Sequence, residues 1–205
     1  MNKVRWPSGR ILLPLFAALL LSACGRAPGL SASELNEAYE FSLADTNDAA
    51  VLPPEQEAAV MERLEAYFTD MTPASVMSET ATVYARDAIL YDNLAVIVGL
   101  LYIEEYFIKA SSEADSLSVE FLQVSNDGKD YYVRWRMIIG AESLSPGEPL
   151  KSYGVSHFRF DEEGRVILHR DFWDAATGLY EYLPWVGGIV RQLRATLGEL
   201  PGYEN

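Results

Sequence analysis

The sequence predicts an α+β domain, with helices first and then a run of antiparallel strands that the helices cover on one face. Three observations predict it. Apolar residues recur at helical spacing between residues 54 and 110. From residue 117 to 173 they alternate with period two, as in half-buried strands. A chain of 205 residues that is 49% hydrophobic and 12% aromatic also has enough apolar surface for one sizeable core. The formal net charge of −14 argues against nucleic acid as a partner, because a phosphate backbone selects basic surfaces.

The elements follow in order. Residues 1–10 hold Lys3, Arg5 and Arg10 and no acid, and residues 11–21 are apolar apart from Pro14. At about 1.5 Å rise per residue this run is far too short to cross a bilayer core of roughly 30 Å, so residues 1–23 read as a signal peptide. Residues 24–53 are rich in Ala, Ser, Gly, Pro, Asn and Asp, with a turn of helix near residues 34–41, and read as a flexible tether. Pro53-Pro54 opens a helix whose apolar face is Val60, Met61, Leu64, Tyr67, Phe68 and Met71. Thr72-Pro73 caps and starts a second helix to about Thr82. A short strand over residues 88–92 precedes a third helix over residues 100–110, with Ile103, Tyr106 and Phe107 inward.

Strands are expected over residues 117–124, 131–139, 152–160 and 165–173. The first two are joined by the hairpin signal Asn126-Asp127-Gly128, the last two by Asp161-Glu162-Glu163-Gly164. Val133, Trp135, Met137 and Ile139 share one face of their strand. Residues 176–205 form an appendage: an aromatic stretch, then an amphipathic helix with the stripe Val186, Ile189, Val190, Leu193 and Leu197. The stripe suits packing on the domain, lidding a pocket, or membrane contact.

Two resemblances add to this reading. Leu21-Ser22-Ala23-Cys24, behind a basic start and an apolar run, resembles the lipobox of bacterial lipoproteins. That resemblance implies that Cys24 becomes the lipidated N-terminal residue and that the protein sits in the cell envelope. With Gly25 next, it implies the outer membrane facing the periplasm in a Gram-negative cell. The segment from Tyr84 to Asn93, the hairpin Gly154-Val155-Ser156-His157-Phe158-Arg159-Phe160 and the ending His169-Arg170-Asp171-Phe172-Trp173-Asp174 resemble the NTF2-like superfamily, in its SnoaL-like and ketosteroid-isomerase-like branches. Over residues 54–175 this implies a cone: three N-terminal helices on a strongly curved antiparallel sheet, with a pocket at the wide end.

Candidate chemistry follows from that cone. Asp92 falls where ketosteroid isomerases carry a carboxylate base; equally, Asp92-Asn93 can close a strand through side-chain-to-backbone bonds. His169, Asp171 and Trp173 alternate along one strand and share a face, so His169 and Asp171 make a second acid/base pair or a self-satisfied polar cluster. Ser156 and Leu64 stand where ketosteroid isomerases place their oxyanion donors, which argues against that particular activity. Tyr102, Trp135, Met137, Ser156, Phe158 and Trp173 are the expected pocket lining, and His157, offset by one, is expected on the opposite face, at the surface or in an interface. One cysteine and two histidines suggest no metal site, and no cofactor is implied. The functional alternatives are binding of a small, largely apolar molecule; an isomerase, dehydratase or epoxide hydrolase using Asp92, His169 and Asp171; and a scaffold that forms a homodimer through its sheet.

Overall fold

The computed structural model describes residues 31–198, so the leader and Cys24 lie outside the described residues. A helix, α1 (Ala32–Asp45), comes first. It is followed by α2 (Pro54–Thr69), α3 (Pro73–Val83), β1 (Tyr84–Asp92), β2 (Ala95–Val98) and α4 (Leu100–Glu113). The sheet continues with β3 (Ser116–Asp127), β4 (Asp130–Gly140), β5 (Leu150–Phe160) and β6 (Val166–Trp173). A short helix α5 (Ala175–Gly178), a 3₁₀ turn (Tyr180–Tyr182) and α6 (Val186–Gly198) close the described chain.

The six strands are ordered β2-β1-β6-β5-β4-β3 in one curved sheet. It is mixed rather than antiparallel throughout. β1 runs parallel to β6, with Leu90 opposite His169, because one strand and one helix, β2 and α4, separate β1 from the antiparallel β3–β6 meander that returns beside it. Register shifts between Phe121 and Gln123, and between Arg159 and Phe160, bend the long strands, as bulges do. Helices α2, α3 and α4 fill the concave face: Leu64, Tyr67 and Phe68, Val76 and Val83, and Ile103 and Phe107 pack with Leu90, Val133, Phe158 and Phe160 in one core.

The expected tether is partly a helix. Ser31 and Glu34 form a capping box that starts α1. α1 lies across the convex face, where the Tyr39 hydroxyl meets His157 Nδ1 at 2.8 Å and the Tyr91 hydroxyl donates to the Ala38 carbonyl at 2.8 Å. Arg159 Nη1 donates to the Leu43 carbonyl at 2.6 Å and clamps the far end. This face is polar and aromatic rather than aliphatic, so it leaves little hydrophobic periodicity to read. Of the two places expected for His157, the cover makes it an interface residue: it is 1% exposed beneath α1 and not at the surface. A homodimer through this sheet face would have to use what α1 leaves open.

Candidate active site

Strand alternation builds the polar wall of the site. In β6, His169, Asp171 and Trp173 point to the concave side, and the β5 register sets them opposite Phe158, Ser156 and Gly154. Asp92 ends β1, and its hairpin to β2 is tied to β6 by Asn93 Nδ2, which donates to the Trp173 carbonyl at 2.7 Å. α4 adds Tyr106 from the side. The opposite wall is apolar: Phe68 and Met71 from α2, Phe107 and Ala110 from α4, and Leu117, Val119, Phe121, Trp135 and Met137 from β3 and β4. Between them lies a cavity of ≈ 110 Å³ that Asp92, Tyr106, Ser156, His169 and Asp171 all reach.

Two hydrogen-bonded groups hold the two carboxylates. Asp171 Oδ1 meets His169 Nε2 at 2.9 Å and accepts from the Ser156 hydroxyl, which in turn accepts from Trp135 Nε1 at 2.7 Å. His169 is gripped from behind by the Tyr84 hydroxyl, 2.8 Å from Nδ1. Tyr84 is buried, and among the described residues its hydroxyl meets only that nitrogen, so it donates to Nδ1 and puts the ring hydrogen on Nε2, facing Asp171. Phe158 stacks on the same imidazole with centroids 4.3 Å apart. Both bonds to Asp171 land on Oδ1, leaving Oδ2 with no protein partner among the described residues.

Asp92 accepts from Trp173 Nε1 at 2.9 Å and from the Tyr106 hydroxyl. Burial raises its pKa above the ordinary carboxylate value, and the nearby charge of Asp171 raises it further; the bonds from Tyr106, Trp173 and the Asn93 backbone oppose the shift without cancelling it. Burial, and then Asp92, also raise the Tyr106 hydroxyl.

Of the residues expected from the sequence, Asp92, Trp135, Met137, Ser156, Phe158, His169, Asp171 and Trp173 line this cavity. Tyr102 does not: it is 67% exposed and borders an open depression between β2 and α4. Tyr106, one helical turn on, is the α4 tyrosine that enters. The sequence reading turned Tyr106 inward but gave its hydroxyl no role, and it missed Tyr84 as the brace of His169. The signal available for Tyr106 was its place on the apolar face of α4, where an inward hydroxyl needs a partner. Cys24 lies outside the described residues. Among the described residues no three His, Cys, Asp or Glu side chains converge as metal ligands.

One glycine shapes the cavity wall. A Cβ on Gly154 would meet three ring carbons of Trp135 at 2.4, 2.5 and 2.9 Å. Gly154→Ala is therefore expected to push the indole off Ser156 into the cavity, at about 1–3 kcal/mol of stability. A thermal melt together with ligand titration checks this; unchanged affinity would mean that Trp135 does not set the cavity's shape.

Residues 57–169, more than half of the chain, match the family described as the SnoaL-like domain. The chain belongs to that family. A hypothetical protein with a ketosteroid-isomerase-like fold from Catenulispora acidiphila, in complex with trimethylamine, is similar to the SnoaL-like chain at TM-score 0.51 and 15% identity, over 62% of this chain and 92% of that one. A SnoaL-like family protein from Agrobacterium tumefaciens follows at 0.48 and 16%, over 58% and 98%. An LEH-like epoxide hydrolase from M. tuberculosis stands at 0.48 and 16%, over 69% and 96%. At these identities the likeness concerns the fold. No curated protein sequence matches the chain.

Proposed function

We propose that this SnoaL-like protein is an acid–base enzyme of the isomerase type, acting on a small, largely apolar molecule that carries one carbonyl-like oxygen. The observation that carries the reading is the pairing of two unlike carboxyl groups in one mostly apolar cavity: Asp171 with a free Oδ2, and Asp92 with a raised pKa. Unlike environments suit unlike roles. Asp171 Oδ2 takes a proton from the carbon next to the carbonyl, the C–H electron pair moves into the carbon framework, and negative charge develops on oxygen. Protonated Asp92 and Tyr106 together hold two acidic hydrogens and share one mutual bond, so one hydrogen is left for that oxygen. Asp171 then returns its proton to the same carbon or to a conjugated one, and atoms and charge balance with no oxidant. His169, Ser156 and Tyr84 orient the base.

Size supports a compact substrate. An apolar cavity of about 150 Å³ takes up benzene, so ≈ 110 Å³ suits a small ring or short branched chain. The test is deuterium incorporation from D₂O into a panel of small cyclic ketones, followed by NMR with the full chain. Protein-dependent exchange next to the carbonyl is expected. Binding of the same ketones without exchange would favour a second reading, a non-catalytic binder, which the apolar majority of the lining supports.

The lipobox-like leader supports anchorage to the cell envelope through a lipid on Cys24. Cys24→Ala is expected to shift the protein from the membrane fraction to the soluble one. A wild-type protein lacking acyl mass on Cys24 would contradict this anchorage.

A further inference from the structure

The last helix wears its apolar stripe on the outside. Where α6 meets the domain, its surface is small and polar. Gly187 is buried so tightly that a Cβ there would lie 2.0 Å from the Glu181 carbonyl oxygen. Arg191 Nη1 donates to that carbonyl at 3.2 Å, and Arg194 Nη2 pairs with the Glu181 carboxylate at 2.6 Å. These contacts fix which side of the helix faces inward. Trp185, Ile189, Leu193 and Leu197, spaced by four residues, are left 92%, 62%, 55% and 80% exposed. A domain helix ordinarily buries such a stripe, and a contiguous exposed apolar patch marks a binding surface. Trp185 adds a second sign. Its φ of 69° is a left-handed conformation that a bulky side chain resists, and its own domain offers the indole no packing in return.

We infer that α6 is a membrane-contact helix, lying in the plane of a bilayer interface with Trp185, Ile189, Leu193 and Leu197 among the headgroups and upper acyl chains. Charge favours lipid as the occupant. The acids dominate the chain as a whole, yet residues 186–198 contain Arg191 and Arg194 and no Asp or Glu. Arg191 has no ion pair among the described residues and is exposed on the polar face opposite the stripe, the face that carries the cations of interfacial helices. An interfacial position also suits the indole of Trp185, apolar in body with one N–H donor. At thirteen residues the helix is too short to cross a bilayer and long enough to lie on one. The inference rests neither on the cavity's chemistry nor on the lipidation of Cys24.

The test is Trp185 fluorescence in the full chain, as purified from its host, with vesicles of equal parts phosphatidylcholine and phosphatidylglycerol bearing brominated acyl chains. Subtracting the Trp185→Phe variant isolates the signal of interest. The expected result is a blue shift of that signal, quenching by the brominated lipid, and loss of quenching by aqueous acrylamide. Ile189→Ser/Leu193→Ser, which removes exposed side chains only, is expected to lose most of the lipid quenching while the melting temperature holds. Acrylamide quenching undiminished by vesicles would overturn the inference. So would shielding of Trp185 that grows with protein concentration in the absence of lipid, which would assign the stripe to a second copy of the chain.

Discussion

Asp171→Asn is expected to lower carbonyl-adjacent proton exchange by about 10²–10⁴-fold, the usual contribution of a positioned general base. Asparagine keeps the shape and one acceptor oxygen for His169 Nε2 and Ser156, so the fold and ligand affinity should persist. What it removes is the carboxylate oxygen that no protein group occupies. The measurement is exchange rate and ligand affinity on the same preparation. Rate lost with affinity kept supports the base; both lost together would mean that Asp171 only supports the cavity.

Asp92→Asn should raise stability. The folded-state pKa of Asp92 lies above its unfolded value, so its favourable contribution is complete below the ordinary carboxylate pKa near 3.8 and is lost as pH rises through the raised folded value. At any pH above the ordinary value the unfolded chain gains by ionising this group, whereas the folded protein must keep it neutral or, above the raised value, hold an ionised carboxylate beside Asp171. Asparagine does not ionise; its oxygen can still accept from Trp173 Nε1 and its amide can donate to Tyr106. The variant is therefore expected to melt higher than wild type at pH 7, with the difference shrinking toward pH 3.8. In a domain of this size about 1 kcal/mol moves Tm by roughly 2–4 °C, so the change is readable by calorimetry. Wild-type exchange should also fall as pH rises through the Asp92 titration, and that limb should be missing in the variant. Equal melting temperatures at every pH would remove the electrostatic argument for Asp92.

Much of this was legible in the sequence because period and register are local. Alternation along residues 169–173 put His169, Asp171 and Trp173 on one face, and the β5–β6 hairpin set Ser156 and Phe158 beside them. Helical spacing found Val60, Leu64, Phe68 and Phe107 in the core. What was not legible depends on distant chain segments. The parallel pairing of β1 with β6 joins residues about eighty apart and leaves no local pattern. α1 packs through Tyr39, Ser42 and backbone carbonyls rather than an aliphatic stripe, so its segment reads as a tether and the sequence does not show what covers His157. Helical spacing turns Tyr106 inward, but that its hydroxyl meets Asp92 depends on β1 lying beside α4, which no local pattern shows.

The central claim is that Asp92 keeps its proton above the ordinary carboxylate range in the cavity it shares with Asp171, and ¹³C NMR titration of the aspartate side-chain carboxyls tests it without any substrate. One resonance is expected to titrate above the ordinary carboxylate range and to vanish in Asp92→Asn. If every aspartate carboxyl that disappears in Asp92→Asn titrates in the ordinary range, Asp92 does not hold its proton above that range and the proposed division of labour with Asp171 fails.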